Sequence, residues 1–252
     1  MLKLIKNVFK KIIYGNKSSS KRYINFLNKK GANIDESAIF YAPMKTHVDE
    51  QYLFLIHIEK NVNIAKGVAI LTHDYSWSVA KANDKELIGS SGVVIIGENS
   101  FIGENAILLP NTKIGKNCII GAGSVVKKNV PDNEVWGGNP AKFICKYSEY
   151  LKKRQLSQKE EAYTLYVNYK NRFKKDPDET IFFEYISLFV DFSKEENIKK
   201  YKSRLCLMNN EQESINFYLN KKPLYNNFND MISDFNNWTS DTINGEDNEK
   251  KR

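Results

Sequence analysis

Cysteine is scarce in this 252-residue chain, which holds three, and none stands in a Cys-x-x-Cys pair. That excludes a disulfide framework and a zinc-ribbon module, and it suits the reducing cytoplasm. Cys145 and Cys206 have no histidine near them in sequence, which argues against a thiol nucleophile. Histidine is equally rare: His47, His57 and His73 are the three present, at spacings that match no metal-ligand pattern. No apolar run reaches the eighteen or so residues that a membrane-spanning helix needs.

Acidic residues are missing from the first thirty positions, where nine Lys and Arg stand, so a net charge of +8 becomes −1 over the remainder. A nucleic-acid surface is therefore not expected. Within that basic stretch, "MLKLIKNVFKKIIYG" (Met1–Gly15) places Leu2, Ile5, Phe9, Ile12 and Ile13 at helical spacing, with Lys3, Lys6, Lys10 and Lys11 between them. It reads either as a basic amphipathic helix lying on an anionic membrane through residues 1–14, or as a cap on the protein's own core. The lysines interrupt every candidate apolar core, so no signal peptide is expected.

What the chain does have is a period. From Ile95 to Val126 an aliphatic residue recurs every sixth position, at Ile96, Ile102, Leu108, Ile114, Ile120 and Val126. Four of the six following residues are glycine (Gly97, Gly103, Gly115, Gly121), read here as permitting the turn. Small residues stand four places after the aliphatic ones, at Ser100, Ala106, Thr112, Cys118 and Ser124. One large side chain per hexad points inward, and three hexads close one triangular coil. A lone coil cannot bury its apolar face, whereas stacked coils bury a continuous core.

A looser tract precedes it, with Ile34, Phe40, Thr46, Tyr52, Ile58, Ile64 and Ile70 six apart and Ala38, Val62 and Val68 at small positions. The registers of the two tracts do not match, so residues 73–92 read as a loop thrown out of the solenoid. The fold expected is mostly β, a left-handed parallel β-helix with an N-terminal helix and a C-terminal helical appendage. The segments are 1–30 (basic amphipathic helix), 31–147 (β-helix), 148–235 (helical appendage) and 236–252 (flexible tail). In the appendage Ser157 with Glu160, and Ser193 with Glu196, read as capping boxes. Asp176-Pro177 separates its first helix from the apolar "ETIFFEYISLFVDF".

His73 lies where the repeat gives way to the loop, in "AILTHDYSWS". A loop carried on a rigid scaffold is where catalytic groups tend to sit, and imidazole can take a proton near neutral pH.

Together, "THDYS" and the downstream "GAGSVVKKNVPDNEVWGGNPAKFI" (Gly121–Ile144) closely resemble the left-handed β-helix, hexapeptide-repeat acyltransferases. The likeness is to their maltose, galactoside, xenobiotic and polysaccharide O-acetyltransferase group and covers roughly residues 30–147. It implies a homotrimer that takes acetyl-CoA as co-substrate and transfers acetyl directly to a carbohydrate hydroxyl, with no metal. His73 matches the group's catalytic histidine, and Asp74 is placed to orient the imidazole or the acceptor. Ala122 and Gly123 match backbone contacts to the pantetheine arm. Lys127 and Lys128 match positions near the CoA phosphates, and Lys142 one beside the adenosine 3′-phosphate. Glu104 departs from the group's pattern, where a small residue is commoner. The acceptor implied is a capsule, exopolysaccharide or lipopolysaccharide component, modified in the cytoplasm or at the inner face of the membrane. The alternatives are a streptogramin- or chloramphenicol-type acetyltransferase, a sugar N-acetyltransferase, and a non-catalytic scaffold.

Overall fold

The computed structural model describes residues 12–238. The helix expected over residues 1–14 falls almost wholly outside them, as does most of the tail expected from 236. The chain divides into two compact units on either side of Leu151.

Helix α1 (Ser20–Lys29) follows a 3₁₀ turn, Gly15–Ser18, in the first unit. Its N-cap is Ser19, whose side chain accepts from the Arg22 amide, and it buries Tyr23, Ile24 and Leu27. The Tyr23 ring meets Phe40 edge-on with centroids 5.3 Å apart, so α1 covers the apolar end of the first coil. Burying that end matters because an open coil would leave its apolar face in water.

Four coils follow. The first is β1 (Asn33–Ile34), β2 (Ile39–Phe40) and β3 (His47–Val48); the second is β4 (Ile56–Ile58), β5 (Asn63–Ile64) and β6 (Ala69–Ile70). The third is β7 (Val94–Ile96), β8 (Phe101–Ile102) and β9 (Ile107–Leu108), and the fourth β10 (Thr112–Ile114), β11 (Ile119–Ile120) and β12 (Val125–Val126). They stack into three sheets, ordered β1-β4-β7-β10, β2-β5-β8-β11 and β3-β6-β9-β12. Every pairing within those rows is parallel. β13 (Glu134–Gly137) extends the second row and β14 (Lys142–Lys146) closes it antiparallel. Three parallel rows around one core fit a left-handed β-helix. The mostly-β expectation does not describe the whole chain, however, because helical residues outnumber strand residues among those described.

The repeat's aliphatic positions do fill the axis: Ile96, Ile102, Leu108, Ile114 and Ile120 are fully buried. Each such side chain contributes about 1.5–3 kcal/mol by leaving water. Glycine plays a different part from the one expected. The four glycines of the period are not the left-handed residues: at one corner of the stack Asn61, Asn99, Asn117 and Asn133 have φ between 54° and 59°, and at another Gly67 and Gly123 have φ of 77° and 68°. The asparagine amides form a ladder, Asn61 to Asn99 (3.2 Å), Asn99 to Asn117 (3.2 Å) and Asn117 to Asn133 (2.9 Å). Asparagine tolerates that conformation because its short polar side chain bonds locally. Gly103 is required for close approach instead: a Cβ there would lie 2.6 Å from Ala122 N and Ile120 O.

The first coil is wider than the rest. Ile34 pairs with Ile58 across twenty-four residues, whereas Ile102 pairs with Ile120 across eighteen. Two 3₁₀ turns, Pro43–Lys45 and Leu53–Leu55, take up the excess. Val48, not Thr46 or Tyr52, is therefore the inward strand residue between Phe40 and Ile58.

The second unit is helical, with a core built around Tyr163, Tyr166, Phe182, Phe192 and Phe235. α3 (Tyr147–Phe173) begins ten residues before Ser157, whose hydroxyl bonds back to Lys153 O at 3.1 Å. Ser157 is therefore a mid-helix residue and no cap. Ser193 is no cap either; its hydroxyl donates to Asp191, and Lys194 precedes α4 (Glu195–Leu205). The segment 179–192 forms two 3₁₀ turns that bury Phe182, Ile186, Leu188, Phe189 and Phe192. α5 (Glu211–Leu219) and α6 (Phe228–Asn237) complete the unit.

Candidate active site

The site is built at the corner where the row β3-β6-β9-β12 turns toward the next face. After Ile70 the chain leaves the coil and returns at Gly92, whose N–H donates to Thr72 O at 2.8 Å. A bridge between His73 and Ser91 closes the base of the excursion. Ile70 and Leu108 are consequently paired across thirty-eight residues, one coil of eighteen plus the twenty of the loop. The excursion carries a short helix, α2 (Trp77–Asn83).

His73 emerges at this closed base, so its backbone is anchored although it begins a loop. Its Nδ1 bonds to the Asp49 carboxylate. The same Asp49 oxygen accepts from Thr72 N at 3.1 Å and Thr72 Oγ1 at 2.5 Å, and the other oxygen accepts from Gln51 N at 3.0 Å. Burial alone would raise the Asp49 carboxyl. The Thr72 hydroxyl, the Gln51 amide and His73 outweigh burial, so the acid sits below its ordinary range. An ionised carboxylate can only accept, so Nδ1 must be the donor, and in the neutral imidazole Nε2 is the nitrogen that keeps its lone pair. That Nε2 is buried and has no hydrogen-bond partner among the described residues.

The imidazole is walled by aromatic rings, with Tyr52 at 5.4 Å and Tyr75 at 4.9 Å, both edge-to-face. Tyr75 OH donates to Gln51 Oε1 at 3.3 Å, and Trp77 continues the array 6.3 Å beyond. Together with Asp74, Leu87, Ile88 and the 89–91 segment, these side chains line an open pocket of about 240 Å³.

Asp74 belongs to the pocket wall but does not orient His73. Its Oδ1 accepts from the Ser76 amide at 2.8 Å, an Asx turn that leads into α2, and the residue is exposed. The orienting role considered for it falls to Asp49, which sequence reading missed. The signal for Asp49 is one of register: it follows Val48 in β3 just as Leu71 follows Ile70 in β6, and those strands are paired.

Of the residues matched to CoA contacts, Lys127 and Lys128 lie just past β12. They share the corner of His73, two strands along the row from β6, which is roughly 10 Å along the axis. Both are exposed, and neither makes an ion pair among the described residues. Ala122 and Gly123 sit at the preceding corner, between β11 and β12, exposed, with Gly123 at φ 68° and its N–H donating to Glu104 O. Lys142 is exposed at the start of β14, paired with Gly137. Glu104, at the same corner as Ala122, bonds Lys66 Nζ at 2.8 Å. His47 is exposed, and His57 Nδ1 lies 3.4 Å from Asn33 Nδ2. Among the described residues no group of three or more His, Cys, Asp and Glu side chains is arranged to hold a metal.

The family described as "Bacterial transferase hexapeptide (six repeats)" matches residues 94–128. WbbJ of Escherichia coli K12, assigned as an O-acetyl transferase of lipopolysaccharide biosynthesis, is 45% identical over 142 residues, covering 51% of this chain and 72% of its own length. Protein CapG of Staphylococcus aureus is 36% identical over 147 residues, covering 58% of this chain and 81% of its own. Among solved structures, a maltose O-acetyltransferase from Clostridium difficile 630 aligns at 25% identity and a TM-score of 0.42, over 56% of this chain and 84% of its own.

Proposed function

The chain belongs to the bacterial hexapeptide-repeat transferases, and from that membership we propose an acetyl-CoA-dependent O-acetyltransferase that modifies a carbohydrate hydroxyl of a cell-surface polysaccharide. One observation carries the reading: an imidazole that lines a pocket, held at Nδ1 by a buried carboxylate, with Nε2 left without a hydrogen-bond partner among the described residues.

In the reaction, Nε2 of His73 takes the acceptor's hydroxyl proton as that oxygen attacks the thioester carbonyl carbon. The tetrahedral intermediate collapses with cleavage of the carbon–sulfur bond. The imidazolium returns its proton to the departing CoA thiolate. Asp49 stabilises the imidazolium that forms between the two transfers. A sugar hydroxyl is a weak nucleophile at neutral pH, and a positioned base contributes roughly 10²–10⁴ in rate. Lys127, Lys128 and Lys142 supply cations to the CoA phosphates, lysine being a point-charge phosphate binder, and the exposed backbone at Ala122 and Gly123 supplies the pantetheine contacts. Asp74, on the pocket wall, orients the acceptor.

The assembly read here is a homotrimer. Ile39 and Phe101 stand on one row, on either side of Asn63, and are 38% and 40% exposed, apolar side chains of the kind that association covers. Light scattering would return a trimer mass, and a fully active monomer would overturn that part. Among the described residues no helix is long and apolar enough to cross a membrane. The reading places the enzyme in the cytoplasm, at the inner face of the membrane where residues 1–14 hold it.

CoA release with a panel of capsular and lipopolysaccharide glycans tests the chemistry. His73→Ala should lower kcat by about 10² or more while the KM for acetyl-CoA stays unchanged. Turnover equal to that of the parent would remove the direct-base mechanism. Acetylation of streptogramin or chloramphenicol in place of every glycan would transfer the reading to the drug-modifying members.

A further inference from the structure

The helical unit carries a groove that shares no lining residue with the candidate active site. It is lined by Gln155, Leu156 and Lys159 of α3 on one side, and by Phe217, Lys221, Lys222 and Leu224 on the other, with a volume of about 640 Å³. The apolar residues along it stand out into solvent: Leu156 is 76% exposed, Leu224 61% and Phe217 54%. Three lysines line the groove and no carboxylate does. Lys159 is engaged, bonded to Asp234 at 3.1 Å. Lys221 and Lys222 are exposed, and neither makes an ion pair among the described residues. The Lys221 ammonium rests 5.4 Å from the centre of the Phe217 ring.

We propose that this rim of Leu156, Phe217 and Leu224, with Lys221 and Lys222 between them, is a docking surface for an anionic lipid bilayer. Solvated leucines and a phenylalanine at the tips of a surface lose free energy by entering an acyl boundary, and they need no matching shape in the partner. Ammonium groups beside them reach the headgroup layer along their own methylene stems. Lysine is depleted in protein–protein interfaces, where its charge would have to be desolvated. A headgroup layer holds the charge in water and pairs it with phosphate, each such lysine adding electrostatic attraction to an anionic leaflet. The charge and the exposed apolar tips therefore favour a lipid surface over a protein groove-binder. The surface is separate in sequence from residues 1–14, so either can act without the other.

The test is co-sedimentation of the full chain with vesicles of phosphatidylcholine, with and without phosphatidylglycerol, for the parent, Lys221→Glu/Lys222→Glu and Phe217→Ser/Leu224→Ser. All four substituted positions are exposed or line the rim, and thermal melting equal to the parent's establishes that the variants fold. The parent should partition onto the anionic vesicles, and each double variant should lose on the order of tenfold in partition coefficient. Partition unchanged in both folded variants would overturn the proposal and assign membrane contact to another segment. Equal binding of the parent to vesicles without anionic lipid would overturn it as well. So would failure of the parent to bind either vesicle while an acidic amphipathic peptide binds and is lost with Lys221→Glu/Lys222→Glu.

Discussion

Replacing Asp49 by asparagine separates shape from charge at the base of the candidate site. The amide oxygen can keep the position that faces Thr72 and His73 Nδ1, because three donors converge there. The amide nitrogen must then face the Gln51 N–H, which now points at Asp49 Oδ1 from 3.0 Å. Leaving a buried donor unsatisfied costs about 1–3 kcal/mol, so the variant should fold with reduced stability. The catalytic loss has another origin. Nδ1–H still has an acceptor, so the tautomer is retained, but the charge-assisted bond to the imidazolium of the transition state is gone. Hydrogen bonds to charged groups contribute about 1.5–3 kcal/mol, and at 1.36 kcal/mol per decade that is about a 10- to 150-fold fall in kcat. The assay is CoA release at saturating acetyl-CoA, with the KM for acetyl-CoA expected to hold. In a His73→Ala background the same substitution should cost nothing further, since there is no imidazole left to act on. Equal losses in both backgrounds would show that Asp49 matters only for the architecture, and the positioning argument would fail. Stability gives a second reading. The Asp49 carboxyl lies below its ordinary range in the native state. It therefore contributes stability that is present above the unfolded value of about 3.9 and lost as pH falls through the native one. The melting temperatures of parent and variant should converge in acid and diverge toward neutrality.

Two further outcomes follow from the coil stack. Gly103→Ala places a Cβ 2.6 Å from backbone atoms of the next coil, whereas Gly121→Ala meets nothing closer than 3.5 Å. Overpacking of the first kind costs about 1–3 kcal/mol, so calorimetry should show a fall of roughly 2–12 °C for Gly103→Ala and little change for Gly121→Ala. Lys127→Glu/Lys128→Glu should raise the KM for acetyl-CoA about tenfold at low salt with kcat nearly unchanged. Because both side chains are exposed, that difference should shrink steeply at high ionic strength; a salt-independent effect would point to a structural role.

The hexad from Ile96 to Val126 made the stack legible because a strict period admits one packing: each aliphatic residue must meet its counterpart a coil away, as Ile102 meets Ile120. What the period concealed was the division of labour at the corners. Glycine and asparagine both suit a left-handed turn, and only the closeness of neighbouring coils assigns the turn to Asn99 and the tight contact to Gly103. The helical unit offered less, because a hydroxyl such as that of Ser157 can bond to its own helix as readily as cap it. His73 was legible from its place at the break in the repeat, but Asp49 was not. The first coil departs from the hexad by two inserted 3₁₀ turns, so counting sixes through it puts Thr46 and Tyr52 on the axis and leaves Asp49 with no assigned neighbour. Only the pairing of Val48 with Ile70 brings Asp49 beside Leu71, Thr72 and the histidine. Asp49 keeps the ladder position that Leu71 and Leu109 hold in the coils above, its N–H donating to Ile70 O as theirs donate to Leu108 O and Val126 O. The inserted turns changed its number and not its place, so a count of sixes could not find it.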